Sequence, residues 1–211
     1  MNIYQSFENE MKRYEQILDL PWNEKNFYMN WLAQSYYYIC QSTRILTLAA
    51  AHFGIAQDKH HQRFVQHTRE EKGHEKLVYA DLQKMGYNIS NFSQGSEVTA
   101  FYATQFYKIQ HVNPISVYGW ILSLEGLAIT HGKAIHDKVQ SSAADLPTKF
   151  IALHVEEDVS HMEKALAMVT DLDPDSLKLI EENMILSTDL YMAFTNSCLS
   201  KNYYFGKDLA A

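Results

Sequence analysis

WNEKNFYMNWLAQSYYYICQSTRILTLAAAHFG, residues 22–54, reads as one long buried helix from about Trp22 to His52 that stops at Gly54. No acid occurs between Glu24 and Asp58, and Arg44 is the single charged residue after Lys25. Alternation of apolar and polar residues, the mark of a half-buried strand, is absent, and apolar side chains fall on nearly every face of a 3.6-residue period. A helix apolar almost all round has no solvent face and belongs in the middle of a bundle. Pro21 bounds it on one side. Gly54 bounds it on the other, where a left-handed C-cap is expected.

The same period recurs on both sides of this element. Residues 3–18 place Ile3, Phe7, Met11, Tyr14 and Leu18 on one side of a first amphipathic helix. A third helix is expected from about Asp58 to Met85, closed by Gly86, and a fourth from about Glu97 to Val112. Asn113-Pro114, an N-cap followed by proline at the first helical position, opens a fifth that runs to about Val139. A sixth extends from near Asp145-Leu146-Pro147 to Leu172, and Asp173-Pro174 opens the seventh. Eight glycines and four prolines leave few breakers, and no repeat or linker divides the chain. The expectation is one all-α domain, residues 1–211, built as a seven-helix bundle.

Composition narrows the function. With 18 basic against 25 acidic residues the net charge is −7, and no basic run offsets it, which argues against nucleic acid as a partner. No uncharged apolar stretch reaches the roughly 18 residues of a membrane span. The mixed-charge opening MNIYQSFENEMKRYEQIL lacks the apolar segment of a signal peptide. Cys40 and Cys198 are too few for a disulfide framework and read as buried thiols, so the cytoplasm is the expected compartment.

The chemistry lies on three core faces. In the sixth helix His154, Asp158 and His161 share a stripe with Phe150, Ala165 and Met168, while Lys149, Glu156 and Glu163 lie opposite. In the third, His67, Glu71, His74, Val78 and Met85 share a face opposed by Arg69, Lys72, Lys76 and Gln83. In the fifth, Glu125 sits among Tyr118, Ile121, Leu122, Ala128 and Ile129 and is the single acid between Glu97 and Asp137. Buried unpaired, such groups would cost several kcal/mol each. Two carboxylate-x-x-His pairs, Glu71/His74 and Asp158/His161, with further inward ligands are what a di-iron or di-manganese carboxylate site in a bundle needs. Imidazole with carboxylate and no nearby thiolate favours iron or manganese. His52, His60, His61, His111, His131 and His136 are expected at the surface or behind the ligands, and Tyr36-Tyr37-Tyr38 as packing. Arg63, one turn before His67, is a candidate anchor for a substrate carboxylate, or a partner of Glu70 or Asp81.

At these residues the sequence resembles the heme-oxygenase-like di-iron oxidases and oxygenases, relatives of thiaminase-II and of the pyrroloquinoline-quinone synthase C protein. The resemblance is carried by REEKGHEKLVYADLQKMG (residues 69–86), LEG (124–126) and HVEEDVSH (154–161), and spans roughly residues 25 to 170. It implies a heme-oxygenase-like bundle and a homodimer. It also implies two iron ions, with manganese at one position as a variant, and an oxidoreductase that activates O2 on a small organic substrate. The implied ligands are His74, Glu125, His154, Asp158 and His161. That family places its first glutamate three or seven residues before the histidine. The nearer position is Glu71 and the farther is His67, which leaves open whether His67 replaces or joins Glu71; Glu71 is the assignment.

Competing readings fit less well. A ferritin-like di-iron protein wants a glutamate on the long second helix, which has no interior acid. Heme ligation in the heme-oxygenase manner wants a histidine on the first helix, yet the first in the chain is His52. Thiaminase-II-like hydrolysis without metal wants a mid-chain cysteine, and none lies between Cys40 and Cys198. A helical interaction protein with a vestigial site is the non-catalytic alternative.

Overall fold

The long apolar segment is the axis of the structure, a computed structural model that describes residues 3–206 apart from the side chains of residues 157–160. Eight helices run in the order α1 (Ile3–Tyr14), α2 (Lys25–His52), α3 (Asp58–Glu70), α4 (His74–Lys84), α5 (Ser96–His111), α6 (Val117–Gln140), α7 (Lys149–Val169) and α8 (Pro174–Ser200). Short 3-10 turns precede α3 and α6 and follow α1, and one isolated antiparallel bridge joins Phe92 to Tyr204. As its composition requires, α2 is enclosed, packing against α3, α4, α5 and α8. On the other side of the bundle α6 lies along both α7 and α8.

One more helix exists than the periodicity predicts, because the expected third helix breaks between Glu70 and His74. Gly73 adopts φ +102°, a left-handed conformation that side chains rarely tolerate, and restarts the chain as α4. A lone glycine inside a helical pattern does not announce such a break, since many are simply tolerated. Gly86 is left-handed at φ +86°, but Gly54 is not: at φ −71° and ψ 166° it is extended, and α2 ends at His52, as read, through extended Phe53. The Asn113 side chain accepts from the Ile115 N–H, yet what it opens is a 3-10 turn, and α6 proper begins at Val117. Asp173 caps α8 as read, accepting from the backbone N–H groups of Asp175 and Ser176. Cys198 is buried, whereas Cys40 is only half-buried.

Polar contacts register the helices at depth. The Tyr14 hydroxyl on α1 meets the Ser123 hydroxyl on α6 at 2.6 Å, and Ser123 meets Thr188 on α8 at 3.1 Å. At the start of α6, Gly119 lets two backbones touch: a Cβ there would lie 2.1 Å from the Ile180 carbonyl oxygen and 2.6 Å from the Met184 nitrogen. Backbone cannot move aside as a flexible side chain can. Gly119→Ala should therefore part α6 from α8 and destabilise the protein by about 1–3 kcal/mol. That corresponds to several degrees of Tm in a chain of this size. Gly54→Ala, where an added Cβ meets nothing within 4 Å, is the control and should be neutral or gain up to about 1 kcal/mol. Equal Tm values for the two variants would contradict this close approach.

Candidate metal centre

Three lengths of helix bring the inward histidines and carboxylates together. The α3–α4 break keeps His67, Glu71 and His74 on one side even though they now belong to two helices and the turn between them. Glu71 bridges the turn, its carboxylate 3.6 Å from His67 Nε2 and 3.2 Å from His74 Nδ1. Glu125 arrives from the middle of α6, and its Oε1 lies 3.1 Å from His67 Nε2 and 3.8 Å from His161 Nδ1. From α7, the His154 ring stands edge-on to His74 with centroids 4.9 Å apart, and the His161 ring lies 5.2 Å from that of His67.

These residues sort into two groups, His67–Glu125–His161 and Glu71–His74–His154, within each of which one ligand atom per residue lies within 4.8 Å of the others. Atoms sharing one ion at about 2 Å sit no more than about 4 Å apart, so a small inward adjustment lets each group close on an ion. Each is a two-histidine, one-carboxylate set, the donor combination of non-heme Fe(II) sites with open positions. Neither cysteine belongs to a group. The residues fit iron.

Of the residues read from the sequence, Glu71, His74, Glu125, His154 and His161 are thus brought together. Asp158 falls outside the described side chains. His67, passed over in favour of Glu71, stands beside it as a member of the other group. Its signal was its place on the shared face, which the preference for an acid overrode. His60 is a correction: it is buried, its Nδ1 3.0 Å from the Tyr118 hydroxyl, because α3 turns that residue toward α6. Arg63 is no open anchor; its Nη1 donates to Glu70 at 3.0 Å. Asp81 gave no sign of its task. Fully buried on α4, it accepts at 2.9 Å from the Phe150 N–H and so caps α7. One turn on, His154 Nδ1–H donates to the Phe150 carbonyl at 2.9 Å, which leaves Nε2 as the nitrogen available for a ligand.

Electrostatics tie the groups to one another. Burial by itself lowers the pKa of His67, but Glu125 and Glu71 outweigh it and hold it at about 9. Burial likewise raises Glu71, yet its contacts with His67 and His74 bring it well below the usual carboxylate range. An apolar cavity of about 110 Å³ adjoins the centre. It is lined by Trp31, Leu46, Trp120, Ile121, Ile135 and Phe150 among others, touches His67, Glu71, Glu125 and His154, and has no lysine or arginine among its described lining residues.

A family model described as iron-containing redox enzyme matches residues 29–185. No curated protein sequence matches the chain. Among solved structures, a domain with a heme-oxygenase-like fold from Shewanella denitrificans superposes with a TM-score of 0.85, at 16% identity over 95% of this chain and 93% of that one. A TenA homologue from Pyrococcus furiosus gives 0.74 at 13% identity, covering 93% and 97% of the two chains. A CADD-like protein from Nostoc punctiforme gives 0.69 at 15%, covering 94% and 99%. At these identities the likenesses establish the heme-oxygenase-like fold.

The pH dependence of the chelator-treated protein tests the geometry. A histidine whose folded pKa is raised stabilises the fold fully below its unfolded value of 6.5, and that contribution is lost as pH rises through about 9. Glu71, depressed, contributes above its ordinary 4.5 and loses this as pH falls. Stability from this trio should peak between those ordinary values and decline on the alkaline side. In denaturant melts His67→Gln should flatten the decline from pH 6.5 to 9; an unchanged alkaline slope would contradict the His67 contacts.

Proposed function

The chain belongs to the family of iron-containing redox enzymes, and we propose that it holds two iron ions, one per three-residue group, and oxidises a small organic molecule with O2. The observation that carries this reading is the pair of two-histidine, one-carboxylate groups set against an apolar cavity. Glu125 and Glu71 would each bring one negative charge, the four histidines would remain neutral, and Asp158, a ligand by the sequence reading, would add a further carboxylate. Manganese at one position is compatible with the same donors. Bound as Fe(II), the ions supply electrons for O2 reduction and open positions for ligands.

The protein's own residues supply the rest. His67, whose Nε2 lies between Glu71 and Glu125, would give up its proton to serve as a ligand. Trp31, Leu46, Ile121, Ile135 and Phe150 keep water from the reacting region and select an apolar substrate body. Size is restricted as well, since a cavity of about 150 Å³ is what holds a benzene ring in a protein core. The described lining offers no lysine or arginine to a phosphorylated substrate. A thiaminase-like hydrolysis is disfavoured because neither cysteine reaches the cavity.

Fe(II) or Mn(II) added anaerobically should raise the Tm, more at pH 7.5 than at pH 6, because protons compete for the histidines. His161→Ala should stay folded but lose at least about tenfold in affinity for one ion, together with Fe(II)-dependent O2 uptake across a panel of small apolar acids and amines. Glu156→Ala, exposed on the opposite face of α7, should change neither. Full oxygen uptake in His161→Ala, or equal loss in both variants, would remove this assignment.

A further inference from the structure

Behind the first group lies a charge cluster to which nothing so far gives a task. Glu70, the last residue of α3, is largely buried, and each of its oxygens is taken by a cation. Oε1 accepts from Lys164 Nζ at 2.8 Å and from Gln66 Nε2 at 3.3 Å, and Oε2 accepts from Arg63 Nη1 at 3.0 Å. The same Oε2 stands 3.6 Å from His161 Nε2. The other ring nitrogen of His161, Nδ1, faces Glu125 at 3.8 Å. Among the described residues His161 is therefore a ring between two carboxylates, one inside a group of ion-binding type and one outside it.

We propose that Glu70 is a positioning residue for the His67–Glu125–His161 group: braced by Arg63 and Lys164, it holds the outer nitrogen of His161 so that the inner one faces the ion. The proposal rests on the two-ion reading above. N–H···O bonds extend to about 3.2 Å, so a small rotation of the ring converts the contact at Nε2 into one. A hydrogen bond from the outer N–H to a carboxylate fixes a ligating histidine's tautomer and orientation and raises its basicity. Glu70 is held by cations from α3 and α7 and belongs to neither group. His154 in the second group has a different arrangement, its Nδ1–H held by the neutral carbonyl of Phe150. Among the described residues, then, a carboxylate backs the outer nitrogen of His161 and a neutral carbonyl that of His154, so the two α7 histidines would present opposite ring nitrogens.

Site-resolved binding and histidine tautomers test this. In Mn(II) titrations followed by electron paramagnetic resonance, Glu70→Gln should weaken one site by about 10–100-fold. The other site should stay within about twofold, and Glu70→Asp should fall between wild type and Glu70→Gln. In 15N-histidine spectra of the chelator-treated protein at pH 8, His161 should carry its proton on Nε2 in wild type and lose that preference in Glu70→Gln, while His154 keeps Nδ1–H in both. Wild-type affinity at both sites with an unaltered His161 tautomer would overturn the proposal, as would equal loss at both sites in a folded variant. Should Glu70→Gln fail to fold, Lys164→Met, at a half-exposed position, decides in its place: it should show a smaller loss at the same single site, and its absence counts against Glu70. If wild type binds no Mn(II), the two-ion reading fails by itself, and the tautomer comparison still decides the role of Glu70.

Discussion

Two glutamates buried among helices set the terms for this molecule. Glu71 and Glu125 have little access to water, and an isolated carboxylate in such a place would cost several kcal/mol or take up a proton. Four imidazoles drawn from α3, α4 and α7 stand in the place of the missing water, and ions of the right charge would replace protons there. Much else follows from keeping that neighbourhood closed. The enclosed α2 contributes no acid and few charges because it forms a wall of the cavity, and α6 carries one acid along its core face because that face meets both α7 and α8.

The helical class was legible because α2 has no polar face to mislead a reader, and the inward residues of α7 were legible because Lys149, Glu156 and Glu163 mark its solvent side so clearly. Periodicity also placed Glu125 correctly, since a single acid among apolar neighbours has few explanations. What could not be read was anything decided by tertiary geometry. Gly73 breaks a helix whose facial pattern continues across the break, so the pattern hides it. His67 looked like a missing acid, yet it stands between two carboxylates that arrive from residues 71 and 125. Asp81 and Glu70 act on groups far along the chain, Phe150 and His161, and no local spacing connects them.

Among the described residues the two groups carry the same donors, two histidines and one carboxylate each. The groups meet where His67 approaches both Glu71 and Glu125, so they share an electrostatic boundary: adding positive charge on one side shifts proton occupancy on the other. The cavity touches both groups and so offers a bound molecule access to either.

The first group is assembled from residues 67, 125 and 161, and the second from 71, 74 and 154. Neither exists as a local motif of the chain. On a ribosome, the early histidines emerge long before α7, and nothing can hold an ion between them and α7 until that helix has docked along α6. Closing such distances requires most of the bundle to be in place, since long-range contacts form only after the loops between them are ordered. Metal loading of the proposed centre would thereby fall at the end of folding. A chain that acquired both proposed ions would, by that fact, already have been proofread for its tertiary structure.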